Sequence, residues 1–542
     1  MKSDKGSATY IFALTLVATL GGLLFGYDTA VISGATGALK NFFIAPLYTN
    51  PVLSAQVIVE YKFIVSLCLV IVAVLLGSFL VKLFGKQKGG IYMAILAVIA
   101  LLVWYFRFWA QPNELTEGMA NAINGFTISS ALVGCIIGGS LGGYISQTLG
   151  RRNGMMLAAL LFTLSAIGSA IPDKMNFMGF ELVSSFIFYR VVGGIGVGLA
   201  SMIVPMYIAE IAPAGIRGKL VSWNQFAIIF GMLVVYFVNY AIARQGNDSW
   251  LDNIGWRWMF ASETIPAALF FFLLFIVPES PRYLVMADKD DKAEKVLNRL
   301  VGESRSRSVL EEIKETLVER KAPWLSFGGL VIIIGIFISI FQQFVGINVV
   351  LYYAPEIFRN MGSGTDTSLL QTIIVGAVNL TFTVVAILTV DKLGRKPLMI
   401  IGAIGMAFSM IALGLMFYID NVGYGALFFM LLYTASFAVS WGPVAWVMLS
   451  EIFPNSIRGA MSIAVAAQWV ANLIVSWTFP VMNDSTALTN TFHHGFAYWI
   501  YGIMGILAAI FMWKIVPETK GRTLEEMEEL WGRKHPFQHV EE

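Results

Sequence analysis

The sequence predicts an all-α membrane protein made of two repeated halves, and three observations predict it: composition, recurring apolar runs and an internal duplication. Hydrophobic residues make up 57% of the 542 and charged residues only 13%, a balance foreign to soluble domains. With 36 Lys and Arg against 34 Asp and Glu, the formal charge is +2, which excludes a general electrostatic attraction to nucleic acid. A hydrocarbon core of about 30 Å needs roughly 20 mainly apolar residues per helix. Runs of that length recur fourteen times, at about 9–33, 59–84, 91–110, 124–146, 154–172, 184–208, 221–243, 257–277, 326–354, 368–390, 397–418, 424–450, 460–481 and 496–516.

Taken in order, the first run follows MKSDKGSATY, is too long for a signal-peptide core and lacks a small-residue cleavage site, so it reads as a retained span. The second and third flank GKQKGG and have no counterpart in the other half. They predict an inserted transmembrane hairpin at about 50–118 on the lipid-facing perimeter. Its aromatic stretch VWYFRFWA suits either peripheral packing or docking of a membrane-protein partner or second protomer. Lysines and arginines fall in alternate short loops: Lys82, Lys86 and Lys88, then Arg151 and Arg152, then Arg217 and Lys219, then Lys392, Arg395 and Lys396. Such loops stay in the cytoplasm, and an even number of spans then places both termini there. The polar stretch 285–322 carries apolar residues at helical spacing and predicts a small cytoplasmic helical domain. The expected division is 1–284, a first transmembrane bundle; 285–322, the linker domain; 323–518, a second bundle; and 519–542, a cytoplasmic tail.

The halves repeat each other. GRRNGM at 150–155 returns as GRKPLM at 394–399, EIAPAGIRG at 210–218 as EIFPNSIRG at 451–459, and PESPR at 278–282 as PETKGR at 517–522. A parallel duplication of membrane bundles predicts a secondary transporter with a midplane site between them. GGIGVG at 193–198 follows no strand and is a helix-packing face; Gly194 with Gly198, Gly138 with Gly142 and Gly139 with Gly143 have the spacing for close helix approach. No Walker loop is present, so no nucleotide cofactor is implied. Cys68 and Cys135 lie in apolar runs and read as packing residues, and the four histidines sit apart from any acidic cluster with metal-ligand spacing.

Together with LVATLGGLLFGYDTAVISG, YRVVGGIGVGLAS, QQFVGINVVLYYAPE, DKLGRK and SWGPVAW, these landmarks give a chain that resembles the sugar porters of the major facilitator superfamily from Tyr10 to Trp531, except at roughly 45–122, where the family has a short loop. The resemblance implies two six-helix bundles that rock about a central site, here joined by the extra hairpin. It also implies a bacterial inner-membrane carrier that moves protons with a monosaccharide, D-xylose or a similar aldose, and is not an enzyme. A facilitative uniporter and a non-transporting sugar sensor are the alternatives.

Asp28 lies inside an apolar run, where a carboxylate costs several kcal/mol unless it is paired, hydrated or protonated. Arg190 is its natural partner, and proximity between them would set whether Asp28 holds a proton. Symporters of the family have an aspartate here and facilitative members an amide, which implies proton coupling. Glu263 matches a family glutamate implicated in coupling. Arg151, Glu210, Arg217, Arg395, Glu451 and Arg458 lie at helix ends and are expected to pair across the halves only while the cytoplasmic side is shut, as an inner latch whose breakage opens the carrier inward. A sugar site needs amides that both donate and accept, plus aromatic platforms. Gln225, Gln342, Gln343, Asn348, Tyr352, Asn379 and Gln468 supply polar groups; Trp446 and Trp469 supply faces; Phe25 and Phe437 are placed to close over the ligand. The resemblance makes these the sugar contacts. One position departs: xylose-importing members carry a glutamine where this chain has Met232.

Overall fold

The computed structural model describes residues 7–176, 179–213, 216–316, 322–520, 526–527 and 531. Helices dominate, and no strand occurs among the described residues.

Helix α1 (Ala8–Leu39) starts on Ser7, whose hydroxyl accepts from the Tyr10 amide at 3.2 Å. The chain crosses to Thr49 and turns at Asn50, which caps α2 (Pro51–Phe84) by accepting from Leu53 at 3.1 Å. Gly85 alone, at φ 81°, separates α2 from α3 (Lys86–Trp104). Then come α4 (Glu117–Thr148), α5 (Arg151–Ala170), α6 (Leu182–Ile211) and α7 (Arg217–Ala243). The first half closes with α8 (Trp256–Ser262) and α9 (Thr264–Leu273), which meet at Glu263. Pro266 has no N–H to give the Ser262 carbonyl, which explains the break.

Helices α10 (Pro281–Met286), α11 (Asp290–Val301) and α12 (Glu303–Thr316) share a small core of Leu284, Val285, Ala293, Leu297 and Leu310. The second half contains α13 (Gly329–Phe344), α14 (Ile347–Asn360), α15 (Thr365–Leu393), α16 (Arg395–Tyr418), α17 (Tyr424–Ala438), α18 (Trp441–Ile452), α19 (Met461–Asn483) and α20 (Gly495–Lys514).

Among the described residues, twelve helices are long and apolar enough to cross a membrane, against the fourteen expected. Of the runs outside that count, 257–277 is divided by the break at Glu263 into pieces of 7 and 10, while 91–110 lies on α3, whose helical path continues to Trp109.

Arg151 and Arg395 mark one face of the molecule, called here the basic face; Asn50 and Thr116 mark the far face. Helices α4 and α6 pack backbone to backbone through Gly134, Gly138, Gly194 and Gly198, where any Cβ would overlap the backbone of the neighbouring helix. Gly143, expected on a packing face, meets open space. The halves touch along α4 with α19, α7 with α15, and α1 with α14.

Candidate functional site

The first half holds a sealed charge pocket. Asp28 on α1, Arg190 on α6 and Glu263 at the α8–α9 junction are each no more than 1% exposed. Arg190 Nη1 donates to Asp28 Oδ1 at 2.8 Å, and Nη2 to the Asp28 carbonyl at 3.1 Å. Its guanidinium also lies 5.3 Å from the Phe260 ring centroid. Gly193 lets α6 approach this point, since a Cβ there would crowd Ser165 and stand 3.2 Å from Asp28 Oδ1. Asp28 Oδ2, Arg190 Nε and both Glu263 oxygens have no hydrogen-bond partner among the described residues. Two acids and one base share this pocket, so it is neutral when the acids hold one proton between them.

The second half holds a chain of amides. Helices α13 and α14 are separated at Gly346, whose φ of 93° only glycine adopts readily. The freed Val345 carbonyl accepts from the Tyr433 hydroxyl at 2.8 Å. The break brings Asn348 back onto Gln343: Asn348 Nδ2 donates to Gln343 Oε1 at 2.5 Å, and Gln343 Nε2 reaches Gln342 Oε1 at 3.5 Å. Gln342 Nε2 donates to the Trp441 carbonyl at 2.9 Å, at a second break between α17 and α18. Gln468 Oε1 and Trp469 Nε1 are buried without a partner among the described residues. The Trp469 ring faces Phe25 across the halves at 5.9 Å.

Not every expected residue joins this group. Tyr352 and Asn379 are buried, while Gln225 and Trp446 are half-buried; among the described residues none of the four hydrogen-bonds the Gln342–Gln343–Asn348 relay. Phe437 packs on Gly442, within 3.2 Å of where its Cβ would stand, and makes no ring pair with Phe25. Met232 is buried on α7, where its backbone packs against Gly26 of α1.

In the arrangement seen here, with the far side closed, the arginines and glutamates of the basic face pair within each half. Arg151 binds Glu210 at 2.8 Å and Arg395 binds Glu451 at 2.9 Å, each pair within its own half. The duplication explains this: each copy brings one arginine at a helix start and one glutamate at a helix end of the same bundle. Each copy also sets a carboxylate on the helix start. Glu279 accepts from the Arg151 and Arg152 amides at 2.9 and 3.1 Å, and Glu518 from Arg395 and Lys396 at 3.2 and 3.1 Å. Burial pushes the Glu279 carboxyl up, against the pull of those donors. Ser280 donates its hydroxyl to Glu210, and Thr519 to Glu451 at 2.6 Å. Arg217 is exposed and makes no ion pair among the described residues, and the Arg458 side chain lies outside them.

The cross-half bonds cluster instead at the far face, where sequence reasoning assigned nothing. Lys40 pairs with Asp484 at 2.6 Å, Trp477 Nε1 donates to the Ala122 carbonyl at 2.9 Å, and the Tyr236 hydroxyl donates to the Leu351 carbonyl at 3.0 Å. The far side is therefore closed.

The family model described as sugar (and other) transporter matches residues 14–111 and 102–531. The D-xylose-proton symporter of Escherichia coli (strain K12) is 52% identical over 97% of this chain and 96% of its own length. The glucose facilitated diffusion protein of Zymomonas mobilis is 37% identical over 98% of this chain and 99% of its own. Among solved structures, the partially occluded inward open conformation of the xylose transporter XylE from E. coli aligns with a TM-score of 0.76 at 51% identity, covering 95% of this chain and 100% of that one. A likeness of that extent and closeness is carried by both halves together: the chain belongs to the sugar porters of the major facilitator superfamily, which are transporters and not enzymes.

Proposed function

We propose that the protein imports D-xylose or a similar aldose together with protons by alternating access. One observation carries the reading: a carboxylate, Asp28, sealed in the membrane against Arg190 and accompanied by a second acid, Glu263. Asp28 is the proton carrier, Arg190 sets when it ionises, and Glu263 shares the charge. The sugar lies between the halves, held by Gln225, Gln342, Gln343, Asn348, Tyr352, Asn379 and Gln468. Trp446 and Trp469 provide its platforms, and Phe25 and Phe437 close over it. Arg151, Glu210, Arg217, Arg395, Glu451 and Arg458 form the charged belt that the two halves bring together when the basic face shuts.

The basic face is cytoplasmic, as are both termini, and the carrier sits in a bacterial inner membrane. The chain crosses fourteen times: α3 returns from the basic to the far face beside α2, and α8 with α9 forms one broken crossing. On this reading α2 and α3 are a hairpin added to the twelve-span plan, and their outward faces meet lipid. The parts are residues 1–284, 285–322, 323–518 and 519–542, as two bundles, linker domain and tail.

The kinship to the Zymomonas mobilis glucose facilitated diffusion protein keeps facilitated diffusion as the second reading. Proteoliposomes with an acidic exterior separate the two. Symport concentrates labelled D-xylose inside and collapses with a protonophore; facilitated diffusion stops at equal concentrations in both cases.

A further inference from the structure

Helix α2 has 34 residues, about 51 Å at a rise of 1.5 Å each, so it overruns a hydrocarbon core of about 30 Å. Its two ends hold different parts of the molecule. Toward the far face it is fastened to the first half: the Tyr61 ring stands 5.7 Å from Phe126 of α4, and the Glu60 carboxylate accepts from the Glu181 amide, the cap of α6, at 3.0 Å. Buried Lys62 draws in the chain leaving α3, donating to the Gln111 carbonyl at 2.6 Å and Asn113 Oδ1 at 2.7 Å. These bonds leave little freedom between this end of α2 and the first half.

The other end reaches the second half. The Phe79 ring lies 6.4 Å from the Trp324 ring, and Lys82 Nζ lies 5.5 Å from the Trp324 ring centroid. Trp324 in turn lies against Gly459 at the foot of α19, its Nε1 within 3.5 Å of where a Cβ would stand. The indole is therefore held between a helix fixed to the first half and the base of a helix in the second.

We propose that α2 braces the two halves through Phe79, Lys82 and Trp324, and that this contact favours the arrangement seen here, with the far face closed. Any rocking that changes the separation of α4 and α19 at the basic face must change the Phe79–Trp324 distance, because each ring travels with its own half. The brace acts on the conformational balance and is independent of which sugar is carried.

The test uses the full-length chain in nanodiscs, with spin labels at Lys219→Cys and Lys392→Cys, both exposed at the basic face, while the native Cys68 and Cys135 are buried. Pulsed double-resonance distances report the opening of that face. Trp324→Ala and Phe79→Ala should each raise the ratio of closed to open populations by about fivefold, and Trp324→Phe, which keeps a ring, should restore most of the parent distribution. Lys82→Gln should shift it less, in the same direction, and stands in for any alanine variant that does not fold. Parent-like distributions in both the Phe79 and Lys82 variants would overturn the brace. So would a shift caused by Trp324→Ala alone, since the indole would then act through α19 without α2.

Discussion

The charge pocket of the first half and the amide relay of the second differ in what holds them. Arg190 and Asp28 are locked by two bonds between uninterrupted helices, α1 and α6, packed through glycines. The relay hangs on two helix breaks, at Gly346 and Ser440, with its amides bonded to one another and to the Trp441 carbonyl. A proton switch needs a fixed geometry, because a small change in distance changes which acid holds the proton. A polyol site needs donors and acceptors that trade partners, because each sugar hydroxyl must replace an existing bond.

The largest effect tests the first side of that contrast. Asp28→Asn should remove proton-driven accumulation entirely while leaving sugar exchange at equilibrium intact, read by uptake and counterflow in the same vesicles. Exchange lost along with accumulation would mean that the pocket holds the fold rather than the coupling.

On the other side, Gln342→Ala removes the anchor of the relay at the Trp441 carbonyl. Sugar binding should weaken by about 1 to 3 kcal/mol by calorimetry, the one or two hydrogen bonds its amide would give the sugar, with proton coupling kept in whatever transport remains. A smaller gain is expected from Met232→Gln, which restores an amide on α7. D-xylose affinity should improve by about 0.5 to 1.5 kcal/mol, one hydrogen bond, with no change in the pH profile.

How much of this was readable follows from the same contrast. Asp28, Arg190 and Glu263 stand out because a charge within an apolar run is itself a signal, and the duplication carried the two-bundle fold. The bond from Gln342 to Trp441 spans 99 residues and that from Lys40 to Asp484 spans 444, and no local pattern encodes either. The repeated arginine and glutamate motifs also give each half its own pair, Arg151 with Glu210 and Arg395 with Glu451, a partnership that the repeat by itself does not spell out. The broken α8–α9 fell short of the span count for a local reason, Pro266.

The smallest effect concerns an exposed pair of the same chemistry as Arg190 with Asp28. Arg257 bonds Asp173 at 2.8 Å, with side chains 22% and 43% exposed. Burial raises the Asp173 carboxyl, but the Arg257 bond and charge outweigh it and hold it below the usual Asp range. The pair's contribution is complete above that range and is lost as pH falls through the depressed value. Arg257→Gln should therefore cost only about 0 to 1 kcal/mol in thermal unfolding at neutral pH, and less in acid. A loss as large as that of a buried pair would erase the distinction drawn between sealed and exposed charges.

The most direct test of proton-coupled sugar import is the pH of a lightly buffered suspension of right-side-out vesicles when D-xylose is added without a gradient. Symport through Asp28 predicts a transient alkalinisation of the medium as protons enter with the sugar, absent in Asp28→Asn. Entry of labelled D-xylose into vesicles of the parent protein with no change in external pH would contradict it.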